Sequence, residues 1–326
     1  MRHAPTPSTI GPSSDGPSSR RAARHQAAVW VVGLALAVLA IRLVAPNLHQ
    51  LRAAFLAMEH GRWAGIALTL AASAASYCFA AIALTGASPD HLPFGRTVVA
   101  EVASSFAGPL LPLGGLGLIT RHLHRQGQTT TQATTTVATV AFTGFLVHVG
   151  LLGVAAAASG LPRKIPLHPS WSTLIVVAVV TGVVAVMVAV SSGLRRRGGA
   201  AVSTAWRQLA EVVRDPRRAA RLFIGSVGIT CSYITALVAA LDACGVRASI
   251  PRIAVVYLIG TAVSSVAPTP GGIGAVEASL LAGLTAIGAP AVGALAGVLT
   301  FRLATFWLPI LPGWFAAAAL RRRQLL

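Results

Sequence analysis

Two acids stand inside long apolar runs of this sequence. Glu101 lies in FGRTVVAEVASSFAGPLLPLGGLGLIT (94–120), and Glu277 in PRIAVVYLIGTAVSSVAPTPGGIGAVEASLLAGLTAIG (251–288). An ionisable side chain in such surroundings is costly and normally faces a cavity or a partner. Arg302, in the apolar stretch 289–320, is a natural counter-charge for either acid, and Arg121 is a second candidate. Charges placed this way can bind or gate a charged substrate. They can equally form an ion pair that only holds helices together, and the residues leave both readings open.

The same two segments carry the backbone chemistry. Gly114, Gly115 and Gly117 match Gly271, Gly272 and Gly274 at a constant offset of 157 residues. Pro109 and Pro112 precede the first set, Pro268 and Pro270 the second. Proline removes a helical N–H and glycine loosens the backbone, so each segment is broken in its middle. Broken backbone at membrane depth persists only where protein or a water-filled cavity covers it. Its freed amides and helix N-termini can then hold an anionic group such as a phosphate. Glycines that merely let helices approach closely are the competing reading. The matched Pro/Gly clusters favour the site.

Other chemistry is thinly represented. The sequence has no Walker A, H-E-x-x-H or G-x-S-x-G motif and no Cys/His cluster with metal spacing, so neither an enzyme nor a cofactor is expected. Cys78, Cys231 and Cys244 read as buried structural thiols. His148 reads as a hydrogen-bonding packing residue.

The chain has 326 residues, 55% hydrophobic and only 10% charged. Its mean hydropathy is +0.72. A soluble domain carries about 25% charged residues as a polar shell, so this composition predicts an all-α, polytopic membrane protein. Six runs are long enough to cross: 27–45, 63–86, 132–159, 171–192, 222–243 and 289–320. The last contains Pro309 and Pro312, so it is either one kinked helix or two short ones. Segments 94–120 and 251–288 read as re-entrant hairpins. Helix, broken hairpin and helix thus occur twice, over about 63–159 and 222–320, with Tyr77 and Tyr233 in equivalent helices.

The net charge of +18 sits in clusters between the apolar runs, which is membrane topology and not a nucleic-acid surface. Placing the tail 1–26, the Arg-rich loop 193–221 and the basic end 321–326 in the cytoplasm satisfies a six-crossing count. The two repeat units then run in opposite senses. Residues 1–19, rich in Pro, Ser and Gly, read as disordered. Within the loop, Trp206, Leu209, Ala210 and Val213 have helical spacing and predict an amphipathic helix on the membrane surface.

The run PTPGGIGAVEASLLAGLTAIG (268–288) followed by FRLATFWLPILPGW (301–314) resembles the transmembrane region of lysylphosphatidylglycerol synthases, also found alone in the UPF0104 group. The resemblance implies flippase-like handling of a phospholipid or lipid-linked substrate in the cell membrane. The chain closes at Leu326, soon after this region, so aminoacyl transfer is not implied. It marks Pro268, Pro270, Gly271, Gly272, Gly274 and Glu277, with Arg302, as positions that bind or gate the substrate. The first hairpin departs from the pattern, since Thr120 stands at the glycine-matched position of Glu277. A carrier of small solutes is one alternative function. The other is a non-transporting subunit that works with a separate lipid-modifying enzyme, and a homo-oligomer is a further possible partner.

Overall fold

The computed structural model describes residues 62–110, 114–160, 207–265 and 270–322. Every element there is helical: α1 (Trp63–Ala87), α2 (Phe94–Leu110), α3 (Gly114–Arg125), α4 (Thr130–Ala158), α5 (Pro216–Ala243), α6 (Ile250–Ser265), α7 (Ala275–Ala286), α8 (Ala291–Arg302) and α9 (Leu308–Arg322). A one-turn 3-10 segment, Pro270–Gly272, precedes α7, and a π segment, Leu303–Trp307, joins α8 to α9. The expected crossings 27–45 and 171–192, and the tail before them, lie outside the described residues.

Four helices are long and apolar enough to span a bilayer: Trp63–Ala87, Thr130–Ala158, Pro216–Ala243 and the continuous Ala291–Arg322. The last answers the question left by its prolines, for it is one helix with a π segment in the middle. The fifth helix starts earlier than its apolar run at 222. Asp215 accepts from the Arg217 and Arg218 amides and Pro216 occupies the first helical position, so the start is set by capping and not by hydropathy.

Between the long helices lie two hairpins. Their arms have 17 and 12 residues in α2 and α3, and 16 and 12 in α6 and α7. At 1.5 Å per residue, the longest arm reaches only ~25 Å against the ~30 Å hydrocarbon core. No single arm is therefore long enough to cross, as re-entrant hairpins require.

Hydrogen bonds reveal the repeat more sharply than composition does. Gly127 (φ 100°) and Gly288 (φ 91°), 161 residues apart, close the two second arms. Gly127 N–H donates to His124 O and Gln128 N–H to Leu123 O; Gly288 N–H donates to Thr285 O and Ala289 N–H to Leu284 O. Both turns thus make the same pair of bonds with glycine in the left-handed region, as helix C-termini favour. Leu123 and Leu284, at equivalent places, are both fully buried.

α1 and α5 open the two units and pack together along their whole length. The Arg62 N–H donates to the Ala243 carbonyl at one end of the seam. At the other end, a Cβ on Gly86 would lie 2.8 Å from the Arg218 carbonyl and 2.9 Å from the Leu222 Cα. Low numbers on α1 meet high numbers on α5, so the pair is antiparallel and the two repeats are inverted. Small residues make this possible: Gly65 and Gly86 on α1, and Gly225 and Gly228 on α5, all sit where a Cβ would crowd the neighbouring helix.

The closing helices then interlock the halves. α9 packs against α2 of the other unit, burying Ala317 and Leu320 with Leu92, Ala100 and Ala103. α4 packs against α6, where His148 Nε2 donates to the Leu258 carbonyl at 2.9 Å. That bond gives His148 the packing role its sequence suggested.

Two expectations change. Cys78 and Cys231 are exposed and Cys244 is half-buried, so these are not core thiols; in a membrane bundle an apolar face can point outward toward hydrocarbon. The surface helix appears as helical residues 207–214, but it docks through Leu209 and Val212, which are buried with Leu222, Ala83 and Ala87. Val213, on the expected apolar stripe, is exposed.

Candidate functional site

The second hairpin is shaped by its turn. Gly271 (φ 63°), Gly272 (φ 67°) and Gly274 (φ 82°) all take left-handed conformations, which cost an L-residue roughly 1–2 kcal/mol each. Gly271 has a second reason to lack a side chain, because its Cβ position is filled by the Phe306 ring. Pro270 opens the turn; Pro268 lies outside the described residues.

After the turn, Glu277 sits three residues into α7 and folds back on the helix start. Its Oε2 accepts the Gly274 N–H at 2.7 Å, the reach of an acid at the third position of a capping box. Its Oε1 accepts from Arg302 Nε at 2.6 Å. Both carboxylate oxygens are thus engaged.

Arg302, only 7% exposed, is the hub. Besides Glu277, it donates from an Nη2 N–H to the Gly271 carbonyl at 3.1 Å. Its guanidinium carbon lies 4.2 Å from the centre of the Phe306 ring, a cation–π distance. One side chain therefore ties α8 to the turn and to the first residues of α7. Its Nη1 has no hydrogen-bond partner among the described residues.

The backbone around Arg302 is itself irregular. Leu308 N–H donates to Leu303 O, the long bond of a π turn. The next donor along the chain would be residue 309, but that residue is proline and has none. The Ala304 carbonyl is left over, and Ser73 Oγ on α1 takes it at 2.9 Å. One turn later Ser105 Oγ on α2 donates to the Pro309 carbonyl at 2.9 Å. A hydroxyl of the first repeat thus completes the defect made by Pro309, and a second one binds that proline's own carbonyl.

Aromatic side chains floor the region. Tyr233 and Tyr257 stack at 6.3 Å between ring centres, and Phe301 meets both edge-on at 6.4 and 6.2 Å. Tyr77 on α1 and Tyr233 on α5 lie beside this cluster, near Ser105 and Ser76 respectively. Sequence reading singled out neither Tyr257, Phe301, Phe306 nor the serines. Phe306 had a signal, lying four residues after Arg302 on one helical face. The serines had none, since the carbonyls they reach lie more than 200 residues away in sequence.

The first hairpin uses its glycines otherwise. Gly114, Gly115 and Gly117 lie in α3, and none has a positive φ. Gly115 packs closely, its Cβ position lying 3.2 Å from the Ser104 carbonyl, whereas Gly117 faces open space. Arg121 is exposed on α3 and pairs with neither acid. Glu101 is half-buried on α2, close enough to Tyr77 and Tyr233 to interact electrostatically with both.

The correspondence of Glu277 with Thr120 does not survive in the structure. α2 and α6 begin at Phe94 and Ile250, 156 residues apart, but the turns at Gly127 and Gly288 are 161 apart. The extra residues fall in the second turn, so helix ends place Leu116 opposite Glu277. No acid of the first hairpin occupies that place on either alignment.

Inverted helix–hairpin–helix units, half-spanning hairpins and an arginine hub at their meeting place define a multi-pass membrane protein of the broken-hairpin kind. The family described as the lysylphosphatidylglycerol synthase TM region matches residues 30–313. The chain belongs to that family. No curated protein matches the sequence. The family description gives the chain a lipid-related setting. Among the described residues no cluster of His, Cys, Asp and Glu is placed to hold a metal ion.

Proposed function

We propose that this protein binds an amphipathic lipid or lipid-linked molecule and moves its headgroup across the cytoplasmic membrane, without itself performing an enzymatic reaction. The observation that carries the reading is Arg302. It is buried at a broken hairpin, it is held in place by Glu277 and the Gly271 carbonyl, and its Nη1 has no partner among the described residues. A guanidinium with spare donors beside irregular backbone suits the phosphate of a lipid headgroup. Glu277 is the positioning residue, since it fixes the guanidinium that would touch the substrate. Membership of a lipid-related family supports a lipid over a small solute. The positive clusters support placing the loop 193–221 and both chain ends in the cytoplasm.

The test is a headgroup-movement assay in liposomes holding fluorescent phosphatidylglycerol, aminoacylated phosphatidylglycerol or phosphatidylcholine. Movement that selects among headgroups and is lost in Glu277→Gln and Gly272→Leu is the expected result. Folded wild-type protein that moves none of these lipids overturns the reading.

A further inference from the structure

Of the two acids in the hairpins, only one is committed. Glu277 spends both oxygens on Arg302 and the Gly274 N–H. Glu101 is different: among the described residues no hydrogen bond or ion pair reaches its carboxylate. It is nonetheless half-buried on α2, a helix enclosed by α1, α3, α9 and the turn Pro270–Gly272.

The groups around it do not neutralise it. Tyr77 on α1 and Tyr233 on α5 lie within electrostatic reach of it, and neither is hydrogen-bonded to it among the described residues. Tyr233 meets Phe301, the residue before Arg302, edge-on at 6.4 Å, and Arg302 is bound to Glu277. Against the turn stands Arg302 of α8, which is already bound to Glu277 and Gly271. On α9 the facing residues are Pro309 and Gly313, and the arginines Arg321 and Arg322 lie two turns further along. On α3, Arg121 is exposed, and His122 stands a turn away from the level of Glu101, judged from the Gly115–Ser104 contact.

The repeat makes this acid asymmetric. α2 and α6 begin 156 residues apart, which puts Tyr257 where the first hairpin has Glu101. Tyr257 stacks on Tyr233 at 6.3 Å between ring centres. In an inverted repeat the two end states exchange the roles of the two hairpins. A charge carried by one hairpin only is therefore wetted from one face in one state and from the opposite face in the other. Crossing between the states as an anion would shield an uncompensated charge from water; crossing as the neutral acid would not.

We propose that Glu101 carries the coupling proton of this protein, taking H⁺ from water on one face of the membrane and releasing it to water on the other. One O–H bond forms at the carboxylate and the same bond breaks after the hairpins exchange, with no change of oxidation state. Net movement is one proton per crossing of the protonated hairpin. The inference rests on the reading of the protein as a lipid carrier, and deepens it by naming its energy source.

Two measurements on the full chain in phosphatidylglycerol–phosphatidylethanolamine membranes separate the ideas. Infrared spectroscopy across a pH titration is expected to show a carboxylic-acid C=O band that is lost in Glu101→Gln and kept in Glu277→Gln. In vesicles, movement of fluorescent phosphatidylglycerol by the wild type is expected to change with an imposed pH gradient. That response is lost in Glu101→Gln and restored in Glu101→Asp. A band that survives in Glu101→Gln overturns the proposal. So does wild-type movement that ignores the gradient, which leaves the lipid reading standing. A Glu101 band with no lipid movement leaves the proton site standing and overturns the lipid reading.

Discussion

Ser73 on α1 donates to the Ala304 carbonyl on the π segment at 2.9 Å, so a hydroxyl of the first repeat completes a hydrogen-bond defect in the second. The defect has one cause, the missing N–H of Pro309. The same bond anchors the backbone two residues after Arg302. Loss of the hydroxyl would orphan a buried carbonyl, at about 1–2 kcal/mol by comparison with other hydrogen bonds between membrane helices. Ser73→Ala is therefore expected to lower the unfolding midpoint in detergent. In a Pro309→Ala background the backbone recovers a donor, and the same change is expected to cost less. Equal costs in the two backgrounds, read as a double-mutant cycle, would refute this account.

The Glu277–Arg302 pair makes a second prediction. Removing one member of a buried pair leaves a bare charge and costs about 3–5 kcal/mol, whereas replacing both by apolar groups of similar volume is far milder. Glu277→Leu alone should yield little folded protein, and Glu277→Leu with Arg302→Met should recover most of the yield, read by size-exclusion profile. Lipid movement should remain absent in the double variant, because the guanidinium that would meet the headgroup is gone. A double variant that is folded and still active would remove Arg302 from the site.

The turn glycines are expected to behave unequally with those of the first hairpin. Gly271→Ala pushes a methyl into Phe306 and adds left-handed strain, so it should destabilise by roughly 1–3 kcal/mol. Gly117 is helical, exposed and surrounded by open space, and alanine there should stabilise by up to about 1 kcal/mol. Thermal unfolding of both variants checks this directly. A destabilised Gly117→Ala would mean that this glycine is held by contacts in another state of the protein.

That contrast also shows how far the sequence could be read. Six matched glycines and four prolines made the repeat, its hairpins and the acid–arginine pair visible without coordinates. Spacing alone could not say that Gly271, Gly272 and Gly274 form a left-handed turn while Gly114, Gly115 and Gly117 continue a helix. The two sets differ because extra residues entered the second turn, and a count based on the glycines places Glu277 opposite Thr120 when the helix ends place it opposite Leu116. Ser73 and Ser105 were invisible for another reason. Their role is to satisfy carbonyls more than 200 residues away, and only packing brings those carbonyls near. Hydropathy likewise placed the fifth helix at 222, since it registers apolar surface and is blind to the Asp215 cap.

The last prediction concerns the seam between the repeats. Gly225 on α5 lies directly against the α1 backbone, with Ala83 N and the Phe79 carbonyl in the space a side chain would need. Neither neighbour can rotate away, because both are main-chain atoms of a continuous helix. Gly225→Leu must then push α5 off α1, and the glycines at Gly65, Gly86 and Gly228 would lose their close approach with it. Expected are a collapse of folded yield and loss of any crosslink between cysteines placed at Thr69 and Ala236, which face each other across the same seam. Gly144, on α4 with open space around it, is the control, and leucine there should leave both readouts intact. If Gly225→Leu keeps the Thr69–Ala236 crosslink at wild-type yield, the antiparallel seam is not what joins the two halves.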